Sequence, residues 1–342
     1  MTGAVAMSDP PAPILRPWVF FRNAHLQTVL ASSRIRAPGS SPMERAARNV
    51  ILETRDGVRL LAEHSPVTRT PARGTVILLH GWEGSSRSVY VRSTGRHLYD
   101  HGFDICRLNF RDHGNTHHLN RGIFFATLIE EVHDAVSQLA EQSRRRRTLL
   151  VGFSLGGNFA LRVGLGIGGP PIENLEHIVS ISPALDPAQA TDRIDQQGLI
   201  RHYFLNKWRR SLRKKESLYP HRYRFSTLLE LCSIRAMTEY LIAANSPYTD
   251  AQDYFSRYTL TGDVLRELQV PATILASQDN PIIPVEDFFG LTLNRHTRLS
   301  VQRYGGHNGF VQGPSLGSWY DNVMVSLFMG SPTHLPDTVV CR

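Results

Sequence analysis

The sequence predicts an α/β fold: a mostly parallel sheet covered by helices on both faces, with a helical insertion between two of its later strands. Three observations predict it. Short apolar runs alternate with amphipathic helical patterns over most of the chain. One of those runs leads through Val151-Gly152-Phe153-Ser154-Leu155-Gly156-Gly157 into a helical stretch, and the rhythm breaks once, from Asp186 to about Asp263. Such alternation builds parallel strands joined by crossover helices.

The 342 residues are 41% hydrophobic, with 38 Lys and Arg against 30 Asp and Glu, a globular composition that excludes wholesale disorder, collagen and coiled coil. After a Pro-rich start (Asp9 to Pro17), Asn49 to Glu53 and Arg59 to Glu63 flank the turn pair Asp56-Gly57 and read as a hairpin. The runs Thr75 to Leu79, Phe103 to Phe110, Thr148 to Phe153, Ile178 to Ser182, Ala272 to Ala276 and Leu299 to Tyr304 suit buried parallel strands, so the sheet is expected to be mixed. Phe124, Leu128, Val132, Val136 and Leu139 recur every three or four residues with Glu130, Glu131 and Asp134 opposite, which describes one amphipathic helix. The run Arg144 to Arg147 reads as a solvated helix end, where cations suit the dipole. In the interrupting segment Ile200, Phe204, Trp208 and Leu212 repeat every four residues, with Tyr203 beside them and cations around them. Strand signals resume at Ala272, so the organisation expected is an N-terminal arm (1–47), one core (48–185 and 264–342) and a helical lid (186–263). Cys106, Cys232 and Cys341 are odd in number and far apart, which fits a reducing, cytoplasmic setting better than a disulfide framework. No run approaches the ~20 apolar residues of a membrane-spanning helix, and the N-terminus lacks a signal-peptide pattern.

Gly152-Phe153-Ser154-Leu155-Gly156 has the G-x-S-x-G spacing of a nucleophile elbow between strand and helix. A sharp turn pushes the serine hydroxyl out of the sheet, and only residues with almost no side chain two positions either side let strand and helix approach closely enough. A serine hydroxyl needs a base, and the base needs an anion to fix its tautomer. The run Ala272 to Ala276 leads into Ser277-Gln278-Asp279-Asn280-Pro281, and Leu299 to Tyr304 into Gly305-Gly306-His307-Asn308-Gly309, which places Asp279 and His307 at the carboxyl ends of strands, where catalytic groups of open α/β sheets collect. Glu286 and Asp287 are weaker acid candidates, in the helix expected next, and His296 a weaker base, ahead of its strand. Oxyanion donors are expected from the N–H groups of Leu155 and of Trp82, in the loop His80-Gly81-Trp82-Glu83-Gly84-Ser85-Ser86. His80 and Gly81 of that loop are expected to touch substrate, and Ser85 or Ser86 to cap the following helix.

Taken together, Phe21-Arg22-Asn23-Ala24-His25-Leu26-Gln27-Thr28, His80-Gly81-Trp82-Glu83-Gly84-Ser85, the elbow, Ser246-Pro247-Tyr248, Asp253-Tyr254-Phe255, Gln278-Asp279-Asn280-Pro281 and Gly305-Gly306-His307 resemble the YheT-like (AB hydrolase-4) group of α/β-hydrolases. The His-Leu-Gln-Thr element separates this group from generic hydrolases. The resemblance implies an α/β-hydrolase fold with a mostly parallel eight-stranded sheet, a Ser154-Asp279-His307 charge relay, and hydrolysis or transfer of acyl groups from small-molecule or lipid esters, with no cofactor. The stretch from Asn109 to Asn120 is richer in histidine than that group's Arg-Gly loop.

Three alternatives compete. Asp112, His113, His117 and His118 offer metal-ligating side chains, but Gly114 and Asn115 disfavour a helix presenting His113 and His117 together, so no metal is assigned. Arg201 to Arg224 holds nine cations and one acid, Glu216, interleaved with aromatics, and the rest of the chain is formally neutral. That is the pattern of a helix lying on an anionic membrane, or of a lid with a solvated basic face, which is favoured. Nucleic-acid binding is not expected, because no recognition motif accompanies the basic patch.

Overall fold

The computed structural model describes residues 14–68, 71–143, 146–330 and 338–340. Residues 9–13 of the Pro-rich start, Arg144, Arg145 and Cys341 lie outside them. Among the described residues one sheet contains β1 (Arg48–Glu53), β2 (Arg59–Ser65), β3 (Thr75–Leu79), β4 (Asp104–Leu108), β5 (Thr148–Phe153), β6 (Leu175–Ile181), β7 (Ala272–Ser277), β8 (Thr297–Gln302) and the short β9 (Thr338–Val340). The order is β1-β2-β4-β3-β5-β6-β7-β8-β9. The β1–β2 hairpin is antiparallel and β2 also pairs antiparallel with β4, while β3 to β8 run parallel, so the sheet is mixed as its hairpin foretold. The eight strands of the expected fold are present, and β9 extends the far edge.

In the arm lie α1 (Ala24–Ser32) and α2 (Pro42–Ala46), and in the core α3 (Val89–Asp100), α4 (Ile129–Glu141) and α5 (Leu155–Gly164). Between β6 and β7 every regular element is helical: α6 (Pro187–Gln196), α7 (Gly198–Leu218), α8 (Ser226–Glu230), α9 (Ile234–Asn245), α10 (Ala251–Ser256) and a 3-10 turn. Then come α11 (Glu286–Phe289) and α12 (Trp319–Met329). Alternate residues of β3 show why its run is continuously apolar. Ile77 and Leu79 pack with Val132 of α4 and Phe159 of α5, whereas Val76 and Leu78 pack on the other face with Leu98 of α3 and Tyr320 of α12. Both faces are covered, so both sets of side chains leave water.

The helix expected from Phe124 starts only at Ile129. The N–H of Phe124 donates to Asp112 Oδ2 (3.1 Å) and that of Ala126 to Tyr254 Oη (3.0 Å), so tertiary acceptors take donors that a helix would need. Two acids placed on the outer face of α4 are buried instead. Glu131 pairs with Arg111, and Asp134 with Arg55.

The basic helix α7 is not uniformly solvated either. Lys215 is 1% exposed; its Nζ lies 2.8 Å from Asp112 Oδ1 and 2.7 Å from the Asn120 carbonyl, with the His117 carbonyl at 3.3 Å. Arg210, Arg213, Arg222 and Arg224 do face solvent. One cation of the basic segment thus ties the helical insertion to the loop after β4. Breaking a buried pair from one side strands the other charge, so Lys215→Met is expected to cost about 3 kcal/mol or more. Asp112 has φ 59°, a conformation asparagine tolerates, and in Asp112→Asn the carboxamide oxygen still accepts from Phe124. Urea titration of Lys215→Met and of Asp112→Asn/Lys215→Met is therefore expected to show at least half the loss restored in the double variant; equal midpoints contradict the ion-pair account.

Candidate active site

The elbow has the geometry its glycines require. A Cβ on Gly152 would lie 2.1 Å from the Gly156 carbonyl oxygen, and one on Gly156 2.5 Å from the carbonyl oxygens of Leu79 and His80. With β5, α5 and the end of β3 in backbone contact, Ser154 is forced to φ 54°, ψ −119° at the turn. Its N–H donates to the Ile181 carbonyl (2.8 Å), which holds the turn to β6. Such strain persists only where surrounding contacts over-determine it.

Ser154, Leu155, Gly81, Trp82 and His307 line one cavity of ≈ 720 Å³. Much of its wall is apolar, contributed by α6, α7 and α9 through residues such as Ile194, Phe204, Trp208, Leu241 and Ile242. The indole of Trp82 stacks on Phe204 at 5.4 Å and meets Trp208 edge-on at 5.1 Å, so α7 roofs the loop after β3. In that loop the Gly81 peptide is tied at both ends. Its N–H donates to Tyr90 Oη (3.0 Å) and its carbonyl accepts from His80 Nδ1 (2.7 Å). Among the described residues no hydrogen bond uses the N–H of Trp82 or of Leu155.

His80 does not reach the cavity, contrary to its expected contact with substrate. It is fully buried, and since the Phe110 N–H donates to Nε2 (3.2 Å), Nδ1 carries the proton given to Gly81. Ser85 and Ser86 are not the helix cap; α3 is preceded by Ser88, and Ser86 Oγ donates to Glu63 (2.7 Å). The histidines after β4 do not converge on one point. His113 Nε2 accepts from the Glu83 N–H (3.2 Å), His117 Nε2 meets Ser211 Oγ (2.9 Å), and the His118 carbonyl accepts from Tyr219. His296 is exposed, and Glu286 and Asp287 form α11 away from the cavity lining.

The loop carrying His307 is held from the arm, through Gln27 and Thr28 of the His-Leu-Gln-Thr element, to which the sequence alone assigned no role. Gln27 is fully buried, and its carboxamide pairs with Val311 as a strand would: Nε2 donates to the Val311 carbonyl (2.9 Å) and Oε1 accepts the Val311 N–H (2.7 Å). Thr28 Oγ1 donates to the Ala24 carbonyl and accepts the His307 N–H (2.9 Å). Gly306 (φ 53°) leaves no room for a side chain, because a Cβ there would meet the Ala24 carbonyl oxygen at 2.4 Å. This gives the His-Leu-Gln-Thr element a physical task.

Asp279 lies behind the cavity wall. Its Oδ1 accepts the Gly306 N–H (2.9 Å), while among the described residues the buried Oδ2 has no hydrogen-bond partner. The His307 Nδ1 lies 3.3 Å from Asn280 Oδ1, which also accepts the N–H groups of Ile282 and Ile283. An oxygen with two such donors is an acceptor for the third, so Nδ1 bears the proton and Nε2 keeps its lone pair. Burial pushes the His307 imidazole down to about 3 and raises Asp279 above its usual range, the latter partly offset by the Gly306 N–H.

A family model described as alpha/beta hydrolase fold matches residues 74–314. Among curated proteins, an abhydrolase domain-containing protein of Dictyostelium discoideum is 25% identical over 73% of this chain and 65% of its own length. Abhydrolase domain-containing protein 2 of Drosophila melanogaster is 24% identical over 92% of this chain and 85% of its own. A protein named monoacylglycerol lipase from Saccharomyces cerevisiae is 23% identical over 73% and 57%. The chain thus spans just under two thirds of the first relative and little more than half of the third. The Pyrococcus furiosus esterase Pf2001 shares the fold, with a TM-score of 0.52 at 15% identity over 94% of this chain and 98% of that one. So does the serine hydrolase CCSP0084 from a Cycloclasticus bacterium, with a TM-score of 0.55 at 13% identity over 83% and 98%.

Two outcomes follow from this geometry. Gln27→Ala frees the His307 loop, and a misplacement near 1 Å costs about 10²-fold in rate. Fluorophosphonate labelling of Ser154 is expected to slow by at least about tenfold in that variant; an unchanged rate contradicts the arm's role. The second concerns pH. Burial lowers the imidazole below its ordinary 6.5, and protonation removes the lone pair, so reactivity is lost as pH falls through the lowered value. The acid limb of the labelling rate in the unliganded protein is expected below pH 6.5, and a limb above pH 7 contradicts it.

Proposed function

The chain belongs to the α/β-hydrolase fold family, and from that premise we propose that it is a serine hydrolase of carboxylic esters working through Ser154, His307 and Asp279. The observation carrying this reading is that Ser154, on its strained elbow, and His307, whose Nδ1 faces Asn280 Oδ1, border one largely apolar cavity. In the reaction proposed, Ser154 Oγ attacks the ester carbonyl as His307 Nε2 takes its proton. The proton then passes to the leaving alcohol, and the acyl-enzyme forms. The N–H groups of Trp82 and Leu155 receive the oxyanion; the fixed Gly81 peptide supports Trp82 rather than Gly81 in that role. Water releases the acyl group, and an alcohol in its place gives transfer. The esterase and lipase names of the relatives support ester chemistry, and the arm's hold on the His307 loop supports the narrower YheT-like membership.

The acid needs its own argument. Asn280 fixes the tautomer of His307 but offers no charge to an imidazolium, whereas the Asp279 carboxylate does, and among the described residues its Oδ2 has no hydrogen-bond partner. Catalytic hydrogen bonds are often long before substrate binds. Asp279 is therefore assigned the charge and Asn280 the orientation at rest.

The lid reading fits the insertion better than membrane attachment through Arg201–Arg224, because Leu205, Trp208, Leu212 and Lys215 of α7 all turn inward. The apolar wall suits an ester with an extended acyl chain. A p-nitrophenyl ester series is expected to show kcat/KM rising with acyl length and to lose essentially all turnover in Ser154→Ala. Asp279→Asn is expected to lower kcat by about 10³-fold or more, and Asn280→Ala by about tenfold. A larger loss in Asn280→Ala than in Asp279→Asn reverses the two assignments.

A further inference from the structure

One stretch of the cavity wall is gripped from two sides. From the core comes Arg162, about two turns along α5 from Ser154. It is 2% exposed, and among the described residues it forms no ion pair. Its guanidinium lies over the rings of Phe159 (5.1 Å) and Tyr258 (6.0 Å), while Nη1 donates to the Ala126 carbonyl (2.7 Å) and Nη2 to the Thr127 carbonyl (3.3 Å). A buried cation is costly unless its donors are used, and bonds from a charged donor are the stronger kind. From the insertion come two tyrosines. The hydroxyls of Tyr248 and Thr127 are 2.6 Å apart, and Tyr254 Oη accepts the Ala126 N–H (3.0 Å). Residues 126 and 127 are thus bonded through two carbonyls, one N–H and one hydroxyl at once. The ring of Phe125, immediately before them, lines the cavity and stands edge-on to Tyr248 (6.2 Å) and Tyr254 (6.1 Å). This gives a task to Ser246-Pro247-Tyr248 and Asp253-Tyr254-Phe255, which the catalytic assignments leave without one.

We propose that Phe125 is a specificity-determining residue that ends the acyl-binding part of the cavity, and that Arg162, Tyr248 and Tyr254 are the positioning residues that keep its ring there. This inference rests on the serine hydrolase reading. The two ends of the cavity can be told apart by exposure. Val29 of α1 and Leu199 at the start of α7 line it and yet are 66% and 90% exposed, which marks the mouth. Ala126, Tyr254 and Phe255 line it and are buried, which marks the closed end. From Ser154 to Arg162 the helix rises about 12 Å at 1.5 Å per residue, so the clamp stands at about that depth from the nucleophile. An apolar acyl chain on Ser154 runs toward the closed end, and the alcohol faces the mouth. A chain that reaches Phe125 has to stop, because the ring is fixed between two tyrosines and the backbone behind it cannot shift. Forcing further methylenes into a packed wall is destabilising, whereas a shorter chain meets no such resistance.

The test compares kcat/KM for p-nitrophenyl palmitate and p-nitrophenyl butyrate in the wild type, Phe125→Leu and Phe125→Ala. The palmitate-to-butyrate ratio is expected to rise at least about tenfold in Phe125→Ala and by less in Phe125→Leu. A merely structural role lowers both esters by the same factor, and an unchanged or lower ratio overturns the proposal. Arg162→Met is expected to raise the ratio as well, with Arg162→Lys, which keeps a charged donor, nearer the wild type. Tyr248→Phe keeps the ring, loses only the hydroxyl, and is expected to raise it by a smaller factor. Ratios unchanged in all three overturn the positioning roles. Calorimetric binding in a Ser154→Ala background, with hexadecan-2-one against octan-2-one, separates this failure from failure of the hydrolase reading. If the wild type turns over neither ester, the binding arm decides alone: adding Phe125→Ala is expected to favour the longer ketone over the shorter at least about tenfold, and an equal change for both overturns the proposal.

Discussion

The close approach of β5, α5 and the end of β3 at Gly152 and Gly156 is the constraint on which the rest of the structure depends. Two positions without side chains bring three backbone segments together, and Ser154 takes up the resulting strain. Because β3 and β5 are neighbours in register, the loop leaving Leu79 necessarily passes Ser154, which is why a Cβ on Gly81 would already be in tight contact with it. On the other side β6, β7 and β8 follow in order, and the loops leaving β7 and β8 carry Asp279 and His307 at the same carboxyl edge.

Strain of this kind is distributed around the site. Glu83, Asp112, Asn115, Ser154, Ser182, Asn308 and Phe310 all have positive φ, and each lies in a loop or turn beyond a strand's carboxyl end. Every such residue is costly unless its neighbours leave no better conformation. The fixing bonds come from distant parts of the chain: Gln27 and Thr28 for the His307 loop, His113 for Glu83, Lys215 for Asp112. The arm and the helical insertion therefore maintain conformations that the core alone does not secure.

That pattern explains what was legible beforehand. Strands such as Thr75–Leu79 and Thr148–Phe153 could be placed to the residue, because burial on both faces leaves a continuous apolar run between turn residues. Ser154 and the loops of Asp279 and His307 were equally readable, since strand ends and small residues are local signals. The start of α4 was not, because Asp112 and Tyr254, far away in sequence, take the N–H groups of Phe124 and Ala126. Glu131, Asp134 and Lys215 were misplaced for a related reason: periodicity assigns charges to the outside and knows nothing of Arg111, Arg55 or Asp112. Gln27, Tyr90 and Asn280 act only through partners brought near by the fold, although the unusual His-Leu-Gln-Thr element did mark where one of them lay.

The net charge of +8 takes on a different meaning once burial is considered. Of the cations of Arg201–Arg224, Arg210, Arg213, Arg222 and Arg224 face solvent, whereas Lys207 and Lys215 border the cavity, where burial disfavours charge on His307 and on Glu83. Desolvation pushes His307 down to about 3 and Glu83 up to about 7, so the base is uncharged and the acid only partly ionised near neutral pH. The charged side chains bordering the cavity include the neutralising pair Lys215–Asp112, while the apolar side chains contributed by α6, α7 and α9 offer an apolar chain a surface without ions to desolvate. In the proposed reaction the same low-dielectric surroundings would strengthen the charge that develops, whether on an oxyanion at the assigned donors Trp82 and Leu155 or on the His307 imidazolium. Burial by the insertion thus contributes twice, to the affinity of the resting cavity for apolar groups and to the field available when charge appears.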